Sequence, residues 1–481
     1  MKFTQVIKTF PRTFWTANII ELFERWAWYG PYVLFAIYLT GSDHGALGFS
    51  QAQKGMMMGI GMGILYFLPV ITGAIADRYG YKRMMFLSFL VHISAFLLLP
   101  HFKTYGAVFA MYIYLAIGSA MFKPVITATI AKTTNDKNSS IGFGLFYMMI
   151  NIGGFLGPMV ALILKNTYES YMPVFYASII AMGINIFLLL FYDEPERQKS
   201  TDKFLKSLGQ VFINIWTALK DAKFVVFLLL VACFWTMFWQ LFKTLPVFIM
   251  QWVDTSPLYQ FFAVNIPFFS NNYSPGNGQM NPEFIVNFGA FYIILFQIVV
   301  SSIVMRLRPL NAMMAGFLVC SLGLALTFTT QNIMFTIIAM FVFAIGEMSS
   351  SPKIQEYIGR IIAPPDKKAL YMGCSFIPVS LGSFAAGFVS GPVYQRMSDK
   401  FTFLQNEVAS RGLEIVECFD KNRTAWLAEV TEKMEFATQT ELTNYLWATY
   451  NPSSFWIVIL CLGAFASMGL FLYDRFMLKK Q

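Results

Sequence analysis

Apolar runs of about 20 residues recur along this chain, the length an α-helix needs to cross the hydrocarbon core of a bilayer. Twelve can be drawn, over 13–40, 51–75, 82–100, 105–131, 141–164, 172–192, 223–250, 283–305, 310–330, 333–362, 369–395 and 453–476. Within lipid every backbone N–H and C=O must be satisfied without water, so such runs fold as helices. The expectation is an all-α membrane protein. Composition agrees: 57% of residues are hydrophobic and 13% charged, too few polar groups to cover a soluble surface of this size. Lys2, Lys8 and Arg12 precede the first run, which is too long and too polar at its centre for a signal-peptide core.

The net charge of +9 does not point to nucleic acid, because the basic residues cluster in alternate loops. Arg78, Lys82 and Arg83, then Lys132, then Arg306 and Arg308 fall on one side, while the loop 251–282 has no Lys or Arg. The positive-inside rule then puts both termini in the cytoplasm of a plasma (inner) membrane protein. Residues 193–222 read as an amphipathic cytoplasmic linker between six spans (1–192) and six more (223–476). A charged segment, 396–452, separates the last two spans on the outside, and its apolar residues recur at helical spacing. It reads as a cap on the outer rim or, alternatively, as a substrate-capturing or partner-binding domain.

The centre of the first span carries Glu21, Glu24 and Arg25. An ionisable group at that depth costs roughly 2.5–3.5 kcal/mol on insertion scales, so three together mark either a buried ion cluster or machinery that moves charge. With Trp28 they fall at i, i+3, i+4 and i+7, on one stripe that lipid cannot face. The fourth span places Lys123 and Pro124 in the apolar zone. There the proline frees a backbone carbonyl and the lysine needs an anion, unless it snorkels to the interface. In the fifth span Tyr147 and Asn151 share a face, and nearby glycines permit close helix packing. His92, alone in the third span, reads as a packing residue. No metal cluster, nucleophile–base constellation or phosphate-cradling loop is present, so neither an enzyme nor a cofactor is expected.

Gly73-Ala74-Ile75-Ala76-Asp77-Arg78-Tyr79-Gly80-Tyr81-Lys82-Arg83 resembles the signature between the second and third spans of the major facilitator superfamily. That implies a major facilitator fold, 12 transmembrane helices in two six-helix bundles, with Asp77 and Arg78 as gate or conformational residues. A narrower resemblance rests on several motifs together. Phe146-Tyr147-Met148-Met149-Ile150-Asn151-Ile152-Gly153, Glu21-Leu22-Phe23-Glu24-Arg25-Trp26, Gly118 to Lys123-Pro124 and Glu347-Met348-Ser349-Ser350-Ser351-Pro352 are similar to motifs of the proton-dependent oligopeptide transporter family. Phe234-Trp235 with Gln240, and Asn281-Pro282-Glu283, also fit.

The resemblance implies a proton-coupled symporter that imports di- and tripeptides, with small peptides, protons and the bilayer as partners, no nucleic acid, and a monomer as the working unit. It makes Arg25 and Lys123 the pole for a peptide carboxylate and Glu347 the pole for its ammonium. Tyr29, Tyr66, Tyr147, Asn151, Trp239, Gln240, Asn281 and Ser351 would complete the substrate site. Glu21, Glu24 and Arg25 would couple the proton. Two departures stand out: Trp239 occupies a place where many bacterial members carry an acid, and Lys243 follows one turn on, as a gate residue or an interfacial lysine. The alternatives are another zwitterionic or acidic solute on the same frame, or a non-transporting peptide sensor.

Overall fold

The computed structural model describes residues 7–135, 138–196, 204–362, 371–372, 374–414 and 423–478. Parts of the 193–222 and 396–452 segments and the start of the eleventh expected span (369–370 and 373) lie outside the described residues. What is described is helical, with one isolated bridge between Asp254 and Asn332. Among the described residues ten helices are long and apolar enough to cross a membrane, or eleven if the bent pair Gln51–Phe67 and Ile71–Tyr79 counts as one. The helix Arg12–Thr40, 29 residues long, has its apolar run broken by Glu21, Glu24 and Arg25.

The breaks within spans have local causes. Pro69 follows Leu68, and the second span bends there by 46°, since proline removes an N–H and crowds the preceding turn. The seventh span divides into Ala222–Phe238, Gln240–Lys243 and Leu245–Trp252, with Pro246 opening the last piece. In the fourth span, Tyr105–Lys132, Pro124 deprives the Ala120 carbonyl of its helical donor. The Thr72 hydroxyl of the second span supplies that bond instead, at 2.6 Å. At Gly80 the chain takes φ +112°, and the next helix starts immediately. A side chain would be strained there.

One expectation changes. Residues 251–282 are not a plain loop: they hold the helices Ser256–Asn265 and Pro267–Asn272. Phe262, Phe269 and Tyr273 pack on Phe284, with the Tyr273 and Phe284 rings stacked at 4.7 Å. A loop with this many rings can bury them, which composition by charge alone does not reveal. Three helices, Lys400–Ser410, Arg423–Lys433 and Gln439–Tyr450, occupy the 396–452 segment. The linker contains the helix Phe204–Leu219, whose Phe212, Ile213 and Trp216 are exposed.

The two halves of the chain meet closely at the end that carries 251–282 and 396–452. A Cβ on Gly387 would lie 2.3 Å from the Gly55 carbonyl, and one on Gly59 would lie 2.8 Å from the Gly387 Cα. Only glycine allows two backbones that near. Hydrogen bonds lock the same end: Gln51 to Asp399 at 3.2 Å, the Ala52 N–H to Gln395 at 3.1 Å, and Asn166 to Asn281 at 2.7 Å.

Candidate functional site

Between the halves lies a cavity of about 190 Å³. The first half contributes Tyr29, Tyr66 and Asn151; the second contributes Trp235, Trp239, Asn287 and Glu347. Helix packing sets this arrangement. The fifth helix, Ser139–Tyr168, lies on the first through Gly153 and Gly157, where an added Cβ would stand 2.4 Å from the Leu22 carbonyl and 2.6 Å from the Trp26 carbonyl. That contact brings Asn151 beside the charged stripe of the first helix.

The charged stripe is shut off from solvent: Glu21 and Arg25 are 4% exposed and Glu24 is fully buried. Arg25 binds Glu24 through its guanidinium and reaches Glu21 Oε1 with Nε at 3.2 Å. Its Cζ lies 5.9 Å from the centre of the Tyr29 ring, and Lys123 Nζ lies 4.3 Å from that of Tyr66. Both rings line the cavity. The two cations therefore sit behind an aromatic wall, held by cation–π contact. Across the cavity Glu347 has no counter-charge beside it among the described residues, and Ser351, one turn on, has a buried hydroxyl without a hydrogen-bond partner among them. The indole N–H groups of Trp235 and Trp239 are likewise unpaired. Unmet donors beside a cavity are groups a ligand can satisfy.

Several residues expected here are placed elsewhere. The Gln240 amide is fully engaged by the Thr236 and Ala386 carbonyls and the Thr244 hydroxyl, so it ties the seventh helix to the eleventh, Ile377–Phe388, and does not line the cavity. Asn281 accepts from Asn166 in the closed end, away from the cavity. Tyr147 is 40% exposed and lies outside the cavity lining; its carbonyl accepts from Asn151 at 2.8 Å. Lys243 donates to the Ser383 carbonyl and hydroxyl at 2.8 and 2.9 Å. Asp77 accepts from Tyr81 at 2.8 Å, and the Arg78 guanidinium lies over the Tyr79 ring.

Sequence reasoning passed over Lys165, Lys54 and Asn287, and read His92 as a packing residue. Lys165 pairs with Glu283 at 3.2 Å across the halves. Lys54, fully buried, donates to the Lys243 carbonyl at 2.7 Å. Asn287 donates to the Phe155 carbonyl at 3.1 Å. His92 Nε2 lies 3.8 Å from Glu24. Lys54 and Lys165 stand near the ends of apolar runs, where a lysine ordinarily snorkels into water, so their sequence carried no distinguishing signal.

Comparison with known proteins adds to this geometry. The model of the Major Facilitator Superfamily matches residues 18–387. A dipeptide and tripeptide permease B of Aeromonas hydrophila is 28% identical over 187 residues, which cover 38% of this chain and 36% of that protein. The match thus spans about a third of that relative's length. In three dimensions, a POT family transporter in complex with a thioalcohol-conjugated peptide superposes with a TM-score of 0.70 at 15% identity, over 98% of this chain and 99% of that one. A nucleoside transporter superposes almost as well, with a TM-score of 0.66 at 12% identity, over 96% and 99%. The fold is common to both, so it does not select the solute.

Proposed function

The chain belongs to the Major Facilitator Superfamily, and we propose that it is a proton-coupled symporter importing di- and tripeptides by alternating access. The observation that carries this reading is the opposition of charge across the cavity. Arg25 and Lys123 stand behind the first-half wall, and Glu347, without a counter-charge among the described residues, stands on the second-half wall. A short peptide is a zwitterion, and it would satisfy both poles at once. A purely anionic solute would leave the half-buried Glu347 facing it unpaired, which is costly.

The cavity's lining points the same way. Asn151, Asn287 and the two indoles offer donors to a peptide backbone, while the rings accept varied side chains without demanding one.

Coupling follows from the partners of Arg25. Its guanidinium is held by Glu24 and Glu21, and protonating a carboxylate releases it toward a peptide carboxylate. With both termini cytoplasmic, the end closed by the Gly55–Gly387 contact and the Lys165–Glu283 pair is the outer one. A ligand bridging both halves favours closure around itself, and that differential affinity drives alternating access. The test is uptake of a labelled dipeptide into proteoliposomes with and without an imposed proton gradient.

A further inference from the structure

His92 lies in the middle of the third helix, Tyr81–Leu98, and is fully buried. Its Nδ1 is 2.8 Å from the Ser88 carbonyl. A carbonyl can only accept, so Nδ1 carries a hydrogen and Nε2 is the open nitrogen of the neutral ring. That nitrogen takes the Ser119 hydroxyl of the fourth helix at 2.8 Å and faces Glu24 Oε1 at 3.8 Å. Glu24 gives its other oxygen to Arg25, while Oε1 has no hydrogen-bond partner among the described residues. The approach is built into the backbone: a Cβ on Gly118 would lie 2.8 Å from Val91 Cγ1 and 3.1 Å from His92 Nδ1, so only glycine lets Ser119 reach the ring.

The charged groups around the ring are few. The first helix brings Glu24 and Arg25, and the fourth brings Lys123 one turn beyond Ser119. The sixth helix, Met172–Leu188, has no Asp, Glu, Lys, Arg or His. Ser88 on the third helix itself does not titrate.

We infer that His92 is a second seat for the proton taken up by the Glu21–Glu24–Arg25 cluster, an inference that rests on the symport reading. When Arg25 turns to a substrate carboxylate, Glu24, which is fully buried, loses its cation. The proton already taken up by the cluster then settles between Glu24 Oε1 and His92 Nε2, and the Ser119 hydroxyl turns from donor to acceptor. The imidazolium replaces the guanidinium as the partner of Glu24. When the substrate leaves, Arg25 returns and the same proton departs. One proton enters and one leaves, with no change of oxidation state.

The wild-type ring can be watched directly. His44, half-buried, and His101, exposed, are the other two histidines, and His44 has the positive φ that asparagine tolerates. In a full-length His44→Asn, His101→Asn chain labelled with 15N-histidine, the Nε2 resonance of His92 should move between about pH 5 and 8, the range in which histidines switch. Its midpoint should shift when Glu24→Gln is added. A resonance indifferent to pH, or to Glu24→Gln, overturns the inference. In transport, His92→Gln should keep peptide exchange while gradient-driven uptake falls by on the order of 10-fold or more, below what a fully positioned proton-transfer group contributes. Wild-type uptake and an unchanged pH profile in His92→Gln would overturn it too. Should His92→Gln lose exchange as well, the substitution has damaged the fold and the resonance alone decides. If the wild-type protein moves no peptide under any gradient, the symport reading fails, while a ring that titrates with Glu24 still stands.

Discussion

Lys165 and Glu283 form an ion pair at 3.2 Å although they belong to opposite halves of the chain, and both side chains are almost wholly withdrawn from solvent. Asn166 donates to Asn281 and to the Asn272 carbonyl beside them, and Lys165 Nζ lies 5.1 Å from the centre of the Tyr171 ring. In a protein that alternates access, such a pair must break each time this end opens. Its strength therefore sets how readily the end opens.

Removing one partner should be worse than removing both. Breaking a buried pair leaves an uncompensated charge and costs about 3–5 kcal/mol, whereas replacing both partners is often nearly neutral. Lys165→Gln and Glu283→Gln should each lower the melting temperature and slow uptake. The double substitution should recover most of the melting temperature. Additive losses in the double variant would show that the two residues do not act as a pair.

The glycine contact makes a separate prediction. Gly387→Val would place atoms within 2.3 Å of the Gly55 carbonyl, and overpacking of this kind costs about 1–3 kcal/mol. The closed end should loosen. A cysteine at Ala386, in a chain without its native cysteines, should react faster with an impermeant thiol reagent from that end. Unchanged labelling would place the seal elsewhere.

How much of this was legible beforehand depends on where each residue's partner lies. Arg25, Glu24 and Glu21 are neighbours on one helix, so their spacing announced a cluster before any fold was known. Lys123 stood out by its depth in an apolar run, where snorkelling to the interface was the one ordinary explanation. The cation–π seat on Tyr66, however, needs the bend at Pro69 and the close packing of Gly73 on Pro124, where an added Cβ would lie 3.4 Å from Pro124 Cβ. Lys165 and Glu283 are 118 residues apart, and neither looks unusual alone. Gln240 misled for the opposite reason: a polar residue in a span suggests a ligand, but the broken seventh helix leaves carbonyls and a hydroxyl that consume its amide.

Glu347 faces the cavity without a counter-charge among the described residues, so its substitution should discriminate between substrates. Glu347→Gln should weaken uptake of peptides with a free amino terminus about 10-fold or more, the scale of one lost charge-assisted bond. It should leave competition by N-blocked analogues largely unaltered. Equal loss for both classes would remove the residue from ammonium recognition.

Lys123→Ala should raise the concentration of peptide needed for half-maximal uptake while leaving the melting temperature within a few degrees, because Lys123 makes no ion pair within 4 Å among the described residues and contacts Tyr66 chiefly through its charge. A large fall in melting temperature with unchanged affinity would mark the lysine as structural.

The measurement that bears most directly on the account is accumulation of a labelled dipeptide in proteoliposomes under an inward proton gradient, compared between wild type and Glu21→Gln. Wild type should concentrate the peptide only while the gradient lasts. Glu21→Gln should still exchange peptide across the membrane but no longer concentrate it. Accumulation by wild type without a gradient, or by Glu21→Gln with one, would contradict proton coupling through this cluster.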